Sequence, residues 1–223
     1  MSKSKVFFQI GTNNGNDRFR ELVLSNSPDC VILVEPNASL IPEIQQNYSH
    51  IPNVNVHIYN NAIYYNDEET VELYIASKNG VMGNRADNGI VYSDIHFSLL
   101  PMNDWGNKND MVKISAKSIT FDKICSSLGI THIDYLQIDT EGFDSEIIKM
   151  IDLSKYKIDK IRFEKWAFSP ERFTNYHKEK SHELGINGMN NAINKLRQHG
   201  YEINDIVDVD GNDILATLHS HFE

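Results

Sequence analysis

Val6-Phe7-Phe8-Gln9-Ile10-Gly11-Thr12-Asn13-Asn14-Gly15 is an apolar run that stops at a glycine, and Val31-Ile32-Leu33-Val34-Glu35 repeats the pattern with a carboxylate at its end. Continuous apolar runs of this length, without the alternation of a half-solvated strand, read as strands buried on both faces. Between them Phe19, Leu22 and Val23 recur at helical spacing, and after the second run Leu40, Ile41, Ile44 and Tyr48 mark one face of another helix. A third run, Val54 to Ile58, completes an alternation of strand and helix that predicts right-handed crossovers and a parallel sheet.

The pattern changes further along. Val71-Glu-Leu-Tyr-Ile75 and Val112-Lys-Ile-Ser-Ala116 alternate with period two, as exposed or edge strands do. Between them residues 77–111 are rich in Asn, Gly and Asp, with no helical period. A long irregular insert of this kind is either functional or a plain surface excursion. Order returns with a helix at 120–128, a strand Ile133 to Ile138, a helical stripe Phe143, Ile147, Ile148 and Ile151, and a strand at 160–163. A polar stretch to Ile186 precedes a helix bearing Met189, Ala192, Ile193 and Leu196, closed by Gly200. Tyr201 to Val207 and Ile214 to Leu218 form a terminal antiparallel hairpin.

A chain of 223 residues, 40% hydrophobic and 23% charged, with no repeat or break in composition, is read as one domain spanning 1–223. Its formal charge of −10 opposes a polyphosphate partner, so no nucleic-acid binding is expected. Two cysteines, Cys30 and Cys125, make neither a disulfide framework nor a CxxC metal site. The apolar stretch Val6 to Ile10 is too short for a signal-peptide core, and nothing approaches the roughly 20 apolar residues of a membrane span. A cytoplasmic protein without membrane association is the expectation, its oligomeric state left open.

The Gly11 to Gly15 turn, with Glu35 at the tip of the next strand, has the geometry of a nucleotide site. A glycine turn lets backbone approach a ligand, and a strand-end carboxylate can take both ribose hydroxyls of an adenosine. The dinucleotide fingerprint would want glycine where Asn13 and Asn16 stand, which disfavours NAD. S-adenosylmethionine has no phosphate and tolerates the looser turn. The plainer alternative is that Gly11 and Gly15 only shape a tight turn.

The second constellation is Tyr135-Leu-Gln-Ile-Asp139-Thr-Glu141-Gly142, an apolar strand delivering two carboxylates and a glycine to the edge where open α/β sheets bind ligands. A GTPase reading fails because the chain has no G-x-x-x-x-G-K-[ST] loop. Asp139 and Glu141 are either site residues or carboxylates placed at the N-terminus of the following helix.

Phe7-Phe-Gln-Ile-Gly11-Thr-Asn-Asn-Gly15, Val34-Glu35-Pro36-Asn37, Asn61-Ala62-Ile63 and Ile133-Asp-Tyr-Leu-Gln-Ile-Asp139-Thr-Glu141-Gly142, in this order, resemble the FkbM-type methyltransferase family. The resemblance implies a class I methyltransferase fold: a Rossmann-like, doubly wound, mostly parallel seven-stranded sheet with an antiparallel last strand, here carrying an inserted loop and hairpin region. It implies S-adenosylmethionine as cofactor and O-methylation of a sugar-like or other small hydroxylated acceptor. It places cofactor binding at Gln9, Gly11, Asn13, Asn14, Gly15, Glu35, Pro36, Asn61, Ala62 and Asp139. Family members usually carry an acid where Gln9 stands; that acid helps hold the methionine amine of the cofactor, and Gln9 loses the charge pairing. Asp139 is a residue that could compensate.

An acceptor hydroxyl must shed a proton, so a carboxylate nearby is a candidate base. Asp139 comes first, then Glu164 at the end of its strand, with Glu141 as the third catalytic candidate; Glu164 could instead pair with Lys165 or Arg162. Residues 77–111 and 166–186 are the expected acceptor loops, bringing His96, His177 and His182 and the aromatic residues Trp105, Trp166 and Tyr176. None of His96, His177 and His182 belongs to an HxH or HxxxH pair, and no metal site is expected. Two rival functions remain at this point: a noncatalytic module that keeps the cofactor or a related nucleoside, motivated by Gln9, and an NAD-dependent oxidoreductase.

Overall fold

The computed structural model describes residues 4–75, 97–98, 112–165, 168, 185–208 and 211–219. In chain order β1 (Val6–Ile10), α1 (Arg18–Asn26), β2 (Cys30–Val34), α2 (Ile41–Tyr48) and β3 (Asn55–Tyr59) realise the predicted alternation. Then come β4 (Ala62–Ile63), β5 (Thr70–Ile75), β6 (Phe97–Ser98) and β7 (Val112–Ile119), followed by α3 (Phe121–Leu128), β8 (His132–Ile133), β9 (Tyr135–Ile138) and α4 (Asp144–Met150). β10 (Lys157–Ile158), β11 (Lys160–Glu164), α5 (Gly185–Gln198), β12 (Tyr201–Asp208) and β13 (Gly211–Leu218) close the chain.

Seven strands form the main sheet in the order β12-β13-β11-β9-β1-β2-β3. β1 pairs in parallel with β2 and β9, β2 with β3 and β9 with β11; β13 runs antiparallel to both β11 and β12. The last strand is thus the antiparallel one, inserted between β11 and β12. β1 explains why the sheet is covered on both sides: Val6, Phe8 and Ile10 enter a core with Phe121, Ile147, Ile148 and Leu196, whereas Phe7 faces Phe19, Val23 and Ile44. Helices α3 to α5 therefore pack on one face, α1 and α2 on the other. Gln9 takes the side of Phe7, and the register sets it opposite Gln137 and, one strand further, Arg162.

The strand predicted from Ile133 to Ile138 is broken at Asp134. The Asp134 carboxylate accepts from the Val6 amide at 2.7 Å while its own N–H bonds the Val6 carbonyl, so β8 is freed to pair with β10 instead of the main sheet. The alternating segments β5 and β7 pair with each other, burying Val71, Leu73 and Ala116 and leaving Glu72 to meet Lys113 outside. Most of residues 77–111 and 166–186, with His96, Trp105, Trp166, Tyr176, His177 and His182, lie outside the described residues. Among the described residues no helix is long and apolar enough to cross a membrane.

Candidate active site

The turn after β1 is held open by its own side chains. Gly11 has φ +82°, and a β-carbon there would lie 1.7 Å from the Asp139 carbonyl oxygen, so glycine is what allows β1 and β9 to end side by side. Gly15 closes the turn with a bond from its N–H to the Thr12 carbonyl at 3.0 Å. Asn13, with φ +53°, accepts from the Asn14 amide through its side chain at 2.6 Å, and the Asn14 side chain accepts from Asn16 at 3.1 Å. The two asparagines serve the loop conformation in these bonds.

Glu35 ties this turn to the next. It is 2% exposed, and its two carboxylate oxygens accept from the amides of Asn13 and Asn37, each at 2.8 Å. Burial outweighs these bonds and pushes its carboxyl up to about 7. Asn60 fixes the far side of the loop, donating to the carbonyls of Glu35 at 2.9 Å and Pro36 at 3.1 Å. Asn61, by contrast, donates to the Lys117 carbonyl and Ala62 is buried at the base of β4. Asn60, which the sequence reading did not name, is thus bonded to the Glu35 loop.

Asp139 follows β9 directly, its N–H bonded to the Ile10 carbonyl at 2.9 Å. The residue is exposed to solvent. Protein packed around its carboxyl disfavours the charged form, and Glu141, Asp144, Asp213 and Asp17 add like charge, so the carboxyl is held well above the usual carboxylate range. The alternative of helix capping is answered by α4 itself: its N-cap is Phe143, which makes no side-chain cap bond. The work of shaping that turn falls to Asp144, fully buried, which accepts from Thr140 Oγ at 3.0 Å and the Gly142 amide at 3.2 Å. Burial pushes the Asp144 carboxyl up to about 7. The intervening Glu141 is carried at φ +52°, an uncommon conformation for a residue with a β-carbon. Asp144 was missed by sequence reasoning, because an acid in a first helical turn reads as ordinary.

The three catalytic candidates meet. Asp139, Glu141 and Glu164 each place a carboxylate oxygen within 4.8 Å of the others, so the three acids form one cluster at the end of the sheet. The other grouping of this type among the described residues, His132, Asp134 and Asp159, belongs to the β8 and β10 region. Lys165 and Arg162, the suggested partners of Glu164, pair with Asp205 at 2.7 Å and Asp213 at 2.5 Å.

The floor beneath is polar. Gln9 is fully buried and Gln137 nearly so, and the side-chain carbonyl oxygen of each lacks a hydrogen-bond partner among the described residues. Buried carbonyls are normally bonded, so an orphan pair beside a carboxylate fits a ligand that brings N–H donors. The methionine ammonium of S-adenosylmethionine is such a group, and Glu35 fits the ribose of the same molecule.

Strand order, glycine turn and strand-end acids together define a class I methyltransferase, with S-adenosylmethionine as its cofactor. Residues 9–203 match the methyltransferase FkbM domain, and the chain belongs to that family. No curated protein matches it. Solved structures similar to it include the fibrillarin pre-rRNA processing protein of Methanococcus jannaschii, 11% identical with a TM-score of 0.41, over 97% of this chain and 66% of that one. The precorrin-6y C5,15-methyltransferase of Geobacter metallireducens is 12% identical with a TM-score of 0.42, over 97% and 82%. TrmK of M. capricolum, solved with S-adenosyl-homocysteine, is 11% identical with a TM-score of 0.42, over 100% and 67%. All three are distant.

Proposed function

We propose that the protein is an O-methyltransferase acting on a small, sugar-like hydroxylated acceptor. The observation that carries this reading is the meeting of Asp139, Glu141 and Glu164 beside the glycine turn. A carboxyl held above its usual range is better matched to removing a hydroxyl proton than an ordinary surface acid. Bound S-adenosylmethionine supplies an electrophilic methyl group on a sulfonium. Glu35 would take its ribose, and Gln9, Gln137 and Asp139 its amino group, while Gly11 and Gly15 let the backbone close on it. Asp139 or Glu164 would accept the proton of the acceptor hydroxyl, whose oxygen would receive the methyl group, the cofactor leaving as S-adenosylhomocysteine. Holding the two reacting atoms at contact distance provides much of the acceleration.

The formal charge of −10 argues for an uncharged or cationic small acceptor and against nucleic acid. A cytoplasmic location is part of the same reading. Gln9 favours one rival, a module that binds the cofactor without turnover. The test is to measure release of S-adenosylhomocysteine against a panel of sugars and phenols, with parent protein, Asp139→Asn and Glu164→Gln. Transfer to a hydroxyl that falls in at least one variant supports the proposal. Cofactor binding with no transfer to any acceptor favours the noncatalytic module, and methylation of nitrogen or carbon only would overturn the O-methyl assignment.

A further inference from the structure

Gln9 stands where the family usually has an acid, and the structure shows what surrounds it. Its Nε2 donates to Asp17 Oδ2 at 2.5 Å. The other Asp17 oxygen, Oδ1, accepts from the Arg20 amide at 3.1 Å and so caps α1. A carboxylate can only accept hydrogen bonds, so contact with Asp17 decides which way the Gln9 amide lies: its NH2 turns to Asp17 and its carbonyl turns away. That carbonyl oxygen, Oε1, is buried and has no partner among the described residues. It sits on β1 two residues before Gly11, in register with Gln137, whose Oε1 is orphaned in the same way.

We propose that Asp17 is a positioning residue for the cofactor, holding the Gln9 amide so that Oε1 faces the methionine ammonium and bringing to this end of the site the negative charge that position 9 lacks. The proposal rests on S-adenosylmethionine as the cofactor. An ammonium has three N–H donors, and Gln9 Oε1, Gln137 Oε1 and the Asp139 carboxylate offer three acceptors on two adjacent strands. The family's acid at position 9 would contribute charge directly. Here the charge is moved one hydrogen bond back, onto the residue that already begins α1. Asp17 is therefore not interchangeable with other capping residues, although Asn caps a helix about as well as Asp.

The test uses that equivalence. In Asp17→Asn the side-chain carbonyl oxygen keeps the Arg20 bond and the introduced NH2 faces Gln9. Gln9 must then turn its carbonyl to that NH2, and its own NH2 is presented to the ammonium. Binding is measured by calorimetry with S-adenosylmethionine, S-adenosylhomocysteine and 5′-methylthioadenosine, which has the nucleoside and sulfur but neither the methionine α-amino group nor its carboxylate. The variant should bind the first two about ten- to a hundredfold more weakly, the scale of a lost charge-assisted hydrogen bond, and the third unchanged. Adding Gln9→Glu to Asp17→Asn should restore affinity, since the carboxylate introduced at position 9 accepts from the side-chain amide at position 17 and carries the charge itself. Melting temperature of the ligand-free variants checks the cap separately. Unchanged S-adenosylmethionine affinity in Asp17→Asn would overturn the proposal, as would equal weakening of 5′-methylthioadenosine or failure of the double variant to recover binding. A parent protein that binds none of the three ligands would instead refute the cofactor assignment.

Discussion

Replacing Glu35 by Gln separates what this residue does for the fold from what it does for the ligand. In the parent, the 2% exposed carboxylate accepts from the Asn13 and Asn37 amides at 2.8 Å each. Gln keeps one acceptor and turns an NH2 toward the other amide, which costs about 1–3 kcal/mol for a buried unmatched donor. The same change removes a charge that burial disfavours. Raising the carboxyl from 4.5 to about 7 corresponds to roughly 3 kcal/mol against the ionised form at alkaline pH. The two effects oppose and are of similar size, so above about pH 7 the ligand-free variant should be nearly as stable as the parent. Ligand binding has no such offset. A carboxylate accepting two ribose hydroxyls is replaced by a single neutral carbonyl, and affinity should drop by about tenfold or more. Below about pH 6 the ligand-free parent is itself protonated at Glu35, so the parent loses affinity for the ribose as pH falls while the variant does not. The ratio of the two affinities should therefore shrink from about pH 8 to about pH 5. Calorimetry with 5′-methylthioadenosine is the assay, because that ligand lacks the titratable α-amino and carboxylate groups of the whole cofactor. A ratio that stays constant over this range, or a variant that binds as well as the parent at about pH 8, would refute the reasoning.

Asp139→Asn should leave the melting temperature unchanged or raised, since it removes one charge from among Glu141, Asp144, Asp213 and Asp17, yet slow methyl transfer about a hundredfold; turnover equal to the parent would move the base to Glu164. Gly11→Ala should cost well beyond the roughly 1–2 kcal/mol of a left-handed backbone, because its β-carbon meets the Asp139 carbonyl, whereas Gly129→Ala, at φ +66° with nothing within 4 Å, should cost only the backbone part. Equal losses in urea denaturation would contradict the close approach of β1 and β9. Glu35 and Asp144 both have carboxyls raised to about 7, so the folded chain holds protons that the unfolded chain has released. Ligand-free stability should accordingly fall as pH rises from about 4 to about 7, and urea midpoints that rise across this window would reverse the sign of both shifts.

Local sequence was enough for the elements and for the ends of the strands where chemistry gathers. The runs at β1 and β2 are apolar throughout because both faces are covered, and the change to Gly11, Glu35 and Asp139 marks where the backbone leaves that cover. The positions of Glu35, Asp139 and Glu164 at strand ends were legible for this reason, and so was the antiparallel hairpin of β12 and β13. What pairs with what was not, because hydrogen-bond partners depend on register between strands far apart in the chain. Only tertiary structure set Gln9 beside Gln137, brought Glu164 within reach of Asp139, and split the predicted strand at Asp134 by a bond to Val6. It alone showed Asn60 bonded to the Glu35 loop and put Asp144 under the Asp139 turn. The same holds for Gln9. As a letter in the sequence it is a missing charge; folded, it is an amide held by Asp17, because α1 begins where its first carboxylate can reach back to β1.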